Sequence, residues 1–175
     1  MGKEFWIFIN TFAPWLSAIG TISAVIVSLY LANKDKKIKL KVTAGYRLLL
    51  KPSKKGNTDE YLFIGIVNKW YREVQITNIG WKTGIVRKRR FVQMVIQNDG
   101  ISSAMPIRLK DGEEAKYFIP LNNKTNWIDN FKLNVIKKYP RIDLHFVRIQ
   151  IYTSIDKIFE SRIERGLRDK LLRSN

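Results

Sequence analysis

Apolar residues fill the start of the chain without a break and then give way to alternation. From position 5 to position 32 the sequence FWIFINTFAPWLSAIGTISAVIVSLYLA contains no charged residue. Pro14 to Ala32 alone, at about 1.5 Å per residue, makes roughly 28 Å of helix against a hydrocarbon core of about 30 Å. This predicts one transmembrane helix over about 12–32, with Pro14 near its first turn, where a missing N–H costs least. The stretch 5–12 either extends that helix or lies in the interface. Trp6, Trp15 and Tyr30 fall where an aromatic belt anchors the two ends. A cleaved signal peptide also begins with a positive charge and an apolar run. Tyr30 at the −3 position of the only small-residue cleavage site, after Ala32, argues against cleavage, and so do the lysines that follow at once.

The next segment, KKIKLKVTA at 36–44, puts Ile38, Leu40 and Val42 on one face of a period-two pattern and Lys37, Lys39 and Lys41 on the other. A helix would scatter those lysines around its axis, so the pattern specifies a half-buried strand with its ammonium groups about 6–7 Å apart. Short β-type runs then recur at 61–67, 73–79, 91–96, 115–120, 141–153 and 157–163, separated by Pro-Ser-Lys-Lys-Gly-Asn, Asn-Asp-Gly and Asp-Gly turns. About seven short strands so spaced predict an antiparallel sandwich or barrel. One helix interrupts them, with Thr125 as N-cap candidate and Trp127, Ile128, Phe131, Val135 and Ile136 near helical spacing. A second, short and basic, covers 164–173. The organisation is therefore a 1–33 membrane anchor and a 34–175 β domain.

Charge sharpens this division. Lys3 and Glu4 cancel, so the formal net charge of +17 belongs to residues 34–175. Lys34, Lys36, Lys37, Lys39 and Lys41 directly follow the span, and the excess of positive charge on that side predicts an N-terminus outside the cell membrane and a cytoplasmic β domain. The absence of cysteine agrees with that compartment. Each basic residue close to an anionic leaflet is worth about 1 kcal/mol within a Debye length. The lysine row is thus placed to hold anionic lipid, and equally to blunt an exposed edge strand.

The arrangement resembles a group of small prokaryotic proteins in which one N-terminal span carries a cytosolic immunoglobulin-like β domain. GTISAVIVSLYLA at the end of the span, IVNKWYREVQITNIGW, MPIRLKDGEE and the final hairpin IYTSIDKIFES carry the resemblance. It implies architecture and transfers no functional residue.

Candidate chemistry is mostly negative. One histidine and no cysteine exclude a His/Cys zinc site and a Cys–His nucleophile pair. His145 lies in a strand pattern, without a G-x-S-x-G elbow, and reads as structural or solvent-facing. Gly80 to Gly84 lacks the spacing of a phosphate loop. Asp111, Glu113 and Glu114 read as a solvated turn rather than a cation site. The sequence calls for no cofactor and no metal, and no enzyme is expected.

What remains is basic residues beside aromatic ones. Lys69-Trp70-Tyr71-Arg72, Trp81-Lys82 and Arg87-Lys88-Arg89-Arg90-Phe91 suit phosphate contact with base stacking, and suit anionic headgroups as well. The plainer reading makes Trp70 and Trp81 core residues and the arginines a solvated loop. Arg162, Arg165 and Arg168 lie on the basic C-terminal helix or just before it, beside leucines that either bind lipid or a protein partner or simply dock on the sandwich. Gly20, Ala24 and Ser28 put small residues on one stripe of the span, a face for homo-oligomer packing. Two classes of function follow. One is a membrane-anchored module that binds acidic phospholipid or nucleic acid at the inner face of the membrane. The other is a membrane-perturbing effector of an antiviral defence system that acts as an oligomer with a sensor partner.

Overall fold

The structure, a computed structural model, describes residues 2–34, 38–50, 58–84, 88–95, 100–121, 126–136 and 140–174. They divide into two compact units, residues 1–38 and 39–175.

The first unit is one helix, α1 (Lys3–Lys34), and its segment Thr11–Asn33 is long and apolar enough to cross a membrane. Residues 5–12 extend the helix instead of lying outside it. Pro14 consequently sits inside the helix and not in its first turn, where it withholds one N–H and meets the preceding turn. Membrane helices accept this because neighbouring groups re-satisfy the freed carbonyl. The Thr21 hydroxyl donates to the Ser17 carbonyl (2.9 Å), so this polar group is satisfied by its own helix.

The second unit is an antiparallel sandwich, one of the two architectures the strand spacing predicts, and of the immunoglobulin-like kind that the resemblance implies. One sheet runs β1-β2-β6, from β1 (Leu40–Leu50), β2 (Thr58–Asn68) and β6 (Glu114–Pro120). The other runs β4-β3-β7-β8, from β4 (Arg89–Gln93), β3 (Val74–Thr83), β7 (Arg148–Thr153) and β8 (Ile158–Arg162). A short β5 (Ile107–Leu109) also pairs with β3. Ala44, Leu62, Ile64, Ile66, Ala115 and Tyr117 from the first sheet and Ile76, Ile79, Trp81, Ile149 and Ile151 from the second are buried between them.

Strand β3 is central and carries a bulge between Ile76 and Asn78. Apart from Gly80, which has no side chain, its buried residues are even-numbered before the bulge (Val74, Ile76) and odd-numbered after it (Ile79, Trp81, Thr83). An extra residue is the way a strand changes phase without turning its apolar side to water.

Three short helices close the sandwich. In α2 (Trp127–Val135), Phe131 and Trp127 pack on Trp81, and the side-chain carbonyl of Gln93 accepts from both indole N–H groups (2.9 and 3.1 Å). Asn126 precedes this helix in the left-handed region, and Thr125 lies outside the described residues. The run 141–153 is not one strand: α3 (Pro140–Phe146) takes its first half and β7 its second. His145 is therefore a helical residue, exposed near the end of α3. Helix α4 (Arg165–Arg173) buries Leu167 and Leu171 and docks on β1, where Glu164 N–H donates to the Ala44 carbonyl (2.8 Å).

Candidate functional site

The basic residues of the β domain gather at two ends of the sandwich. At one end, where the chain enters β1, Lys39 and Lys41 are exposed while Ile38, Leu40 and Val42 are half-buried, as the alternation predicts. Lys69 N–H donates to the Lys39 carbonyl (2.8 Å), which brings two exposed lysines onto adjacent strands. The turn after β2 is held from inside by Asn68, which is fully buried. Its amide donates to the carbonyls of Arg72 (2.7 Å) and Leu109 (3.0 Å) and accepts from Trp70 N–H (2.9 Å). Arg72 then lies over both Trp70 (5.7 Å) and Tyr71 (5.3 Å), a cation–π arrangement on an exposed turn. In the neighbouring turn the Glu113 carboxylate accepts from Lys110 N–H (2.8 Å) and Glu114 pairs with Lys116, which is the solvated turn expected of this acidic cluster.

At the other end, four basic residues stand in register across four strands. Arg90 faces Lys82, Lys82 faces Arg148, and Arg148 faces Arg162. With strands about 4.8 Å apart, the row spans roughly 15 Å. Among the described residues the carboxylate in its midst is Glu160, two residues along β8 from Arg162 and opposite Gln150. It takes hydrogen bonds from Lys82 Nζ (2.6 Å) and Gln150 Nε2 (2.8 Å). Burial works against its charge, but these two donors and the charges of Lys82 and Arg90 outweigh that and hold its pKa below the usual carboxylate value. Arg148 is also pushed below its usual value, by burial and then by the charge of Arg162, with Glu160 opposing.

Beside the end of this row, Arg148 and Arg162 meet Arg168 of α4 and His145 of α3 around a cavity of about 80 Å³, backed by buried Val147 and Ile163.

Not every candidate serves at these ends. Arg89 is structural, because its guanidinium donates to the carbonyls of Asn134 and Val135 (both 3.0 Å) and so caps the C-terminal end of α2. Lys82 is committed to Glu160, and Trp81 beside it is core. Lys88 and Arg165 are exposed with no partner role in either cluster. Lys36, Lys37 and Arg87 lie outside the described residues, and Lys34 is the last residue of α1. In α1, Trp15, Tyr30, Gly20, Ala24 and Ser28 are all exposed, and Trp6 lies in the first turns of the helix. Sequence reasoning missed Arg148 and His145, since a strand reading of 141–153 gives no reason to put them beside Arg168. It missed Asn68 as well, one polar residue at the end of an apolar run.

No protein-family model matches the chain, and no curated protein matches it. Among solved structures, the X-ray structure of Northeast Structural Genomics Consortium target SoR45 matches at 8% sequence identity and a TM-score of 0.30, over 76% of this chain and 91% of that one. A likeness of that degree carries no argument.

Proposed function

We propose that this chain is a membrane-anchored, single-pass binding protein without catalytic activity. Its N-terminus lies outside the cell membrane, and its basic β domain binds an anionic partner, acidic phospholipid headgroups or nucleic acid, at the cytoplasmic face. The observation that supports it is the row Arg90, Lys82, Arg148 and Arg162, which has a single carboxylate to balance it. A solvated surface intersperses both signs, whereas like charges directly opposite one another on a sheet weaken it. Such a row is retained most readily where an anion comes to it.

The two ends have separate parts in this reading. Lys39, Lys41, Lys69 and Arg72, exposed together at one end of the sandwich, are the residues offered to anionic headgroups, with Tyr71 to enter the interface. Val74 and Lys82, at opposite ends of β3, are eight residues apart, so the second cluster lies roughly 26 Å further along the strand.

Residues 39–175 enclose their own buried core, and this fragment tests the reading by flotation with anionic and neutral vesicles across a salt series, with and without a competing oligonucleotide. Binding to anionic vesicles that falls with salt is expected, and neutralising Lys39, Lys41, Lys69 and Arg72 one at a time weakens it about fivefold per residue. Failure to bind either anionic vesicles or the oligonucleotide at low salt would sink the proposal.

A further inference from the structure

Arg148 and Arg162 are direct cross-strand partners, a like-charge pair that weakens the sheet that carries it. Glu160 does not relieve both, since its oxygens are taken by Lys82 and Gln150. Arg148 is pinned: its Nη1 donates to the carbonyls of His145 (2.9 Å) and Val147 (3.0 Å), which fixes the guanidinium plane and leaves its other N–H groups to a further acceptor. Among the described residues, neither Arg162 nor Arg168 has a hydrogen-bonded or ion-paired side-chain partner. Three arginines from β7, β8 and α4, the first with its guanidinium held by two carbonyls and the other two unpaired among the described residues, thus line one small cavity together with His145.

Size and charge narrow what fits. About 80 Å³ has room for a few water molecules or one tetrahedral oxyanion, and is well below the 300 Å³ or so at which pockets begin to enclose a drug-sized ligand. A base or sugar stays outside. A carboxylate offers two oxygens and one charge to three guanidinium forks. A terminal phosphate offers three strong acceptor oxygens and a charge of about −1.5 to −2, and guanidinium geometry matches it two oxygens at a time. The pinned Arg148 lowers the ordering cost of such a contact.

We propose that this cavity is a binding site for a terminal phosphate group, gripped by Arg148, Arg162 and Arg168 with His145 alongside, while Arg90 continues the basic row for the rest of the ligand. The inference rests on the anionic-partner reading and deepens it, naming the chemical group and the residues that take it. The phosphate belongs either to a small soluble molecule or to a lipid with a phosphomonoester headgroup.

The test uses the full chain in nanodiscs of neutral phosphatidylcholine, and reads the thermal unfolding midpoint of the β domain while inorganic phosphate replaces chloride at constant ionic strength. A ligand that binds only the folded state raises that midpoint with a saturable dependence on its concentration. The wild-type chain should show this rise. R162Q and R168Q should each weaken the apparent affinity by about tenfold or more, as expected for loss of a charge-assisted contact. R162K, which keeps the charge without the fork, should fall between, and K88Q, exposed and outside both clusters, should match wild type. A second arm replaces free phosphate with phosphatidic acid in the nanodisc. A rise lost in R162Q in that arm alone assigns the phosphate to lipid, and one in the free-phosphate arm alone assigns it to a soluble ligand. Either supports the site. The proposal is overturned if neither probe shifts the wild-type midpoint, or if the shift is the same in R162Q and R168Q. If R162Q does not fold, R162K and R168Q decide by the same criterion. Vesicle or oligonucleotide binding that persists when the phosphate shift is absent leaves the broader anionic-partner reading standing and removes only the cavity.

Discussion

Asn68 shows how much one side chain can organise. Fully buried, it ties the 69–73 turn to β5 with three hydrogen bonds and so sets where Arg72 and the two aromatic rings stand. Asn68→Ala leaves two carbonyls and one N–H without their partner in a place water reaches poorly, and a loss of about 2–3 kcal/mol is expected in denaturant unfolding. Gly80 is constrained in a different way. A Cβ there would come within 2.5 Å of the Phe91 carbonyl on β4 and 3.1 Å of the Tyr152 ring, so Gly80→Ala must push two strands apart. A loss of about 2 kcal/mol is expected, with a lower thermal midpoint as the readout. At this scale the exposed lysines of β1 were legible because period two repeats them. Asn68 and Gly80 were not, because each owes its role to contacts that include a strand brought in from further along the chain, Leu109 of β5 for Asn68 and Phe91 and Tyr152 for Gly80.

Elements were legible where one period ran unopposed. The span, β1 and α4 lie close to the positions their patterns predict, and β3 even shows its bulge as a change of parity in VQITNIGWKT. The segment 141–153 misled because Ile142, Leu144 and Phe146 alternate like a strand. Leu144 is the one buried residue among those of α3 whose burial is described, and Pro140 begins the helix that puts it there. The contact between elements also fixes a pH response. Glu60 is held below the usual carboxylate value by the hydrogen bond from Lys170, with burial opposing and the Tyr46 hydroxyl assisting, and Glu160 is likewise depressed. A carboxylate whose pKa is lower folded than unfolded adds stability above its unfolded value, and that stability disappears as pH falls through the folded one. The unfolding midpoint should therefore drop below about pH 4.5. Glu60→Gln should flatten the drop, at a cost near neutral pH of about 1 kcal/mol or less for so exposed a pair. An unchanged profile in this variant would show that the α4 contact does not titrate.

For the whole molecule, α1 offers the stripe Gly20, Ala24 and Ser28, exposed along one side of a helix whose polar Thr21 is already satisfied. If copies of the chain pack through this stripe, Gly20→Leu should weaken self-association in a membrane reporter assay several-fold, and an equal signal would exclude this face.

The seating of α4 on β1 joins the first strand of the domain to its last helix: Glu164 bonds the Ala44 backbone and pairs with Arg47, 117 positions away. At 5–20 residues per second a ribosome needs roughly 6–25 s to make the chain between them. Throughout that interval the nascent first strand waits without its final cover. The lysines of β1 then serve as guards during birth, discouraging the open strand from pairing with those of neighbouring unfinished chains.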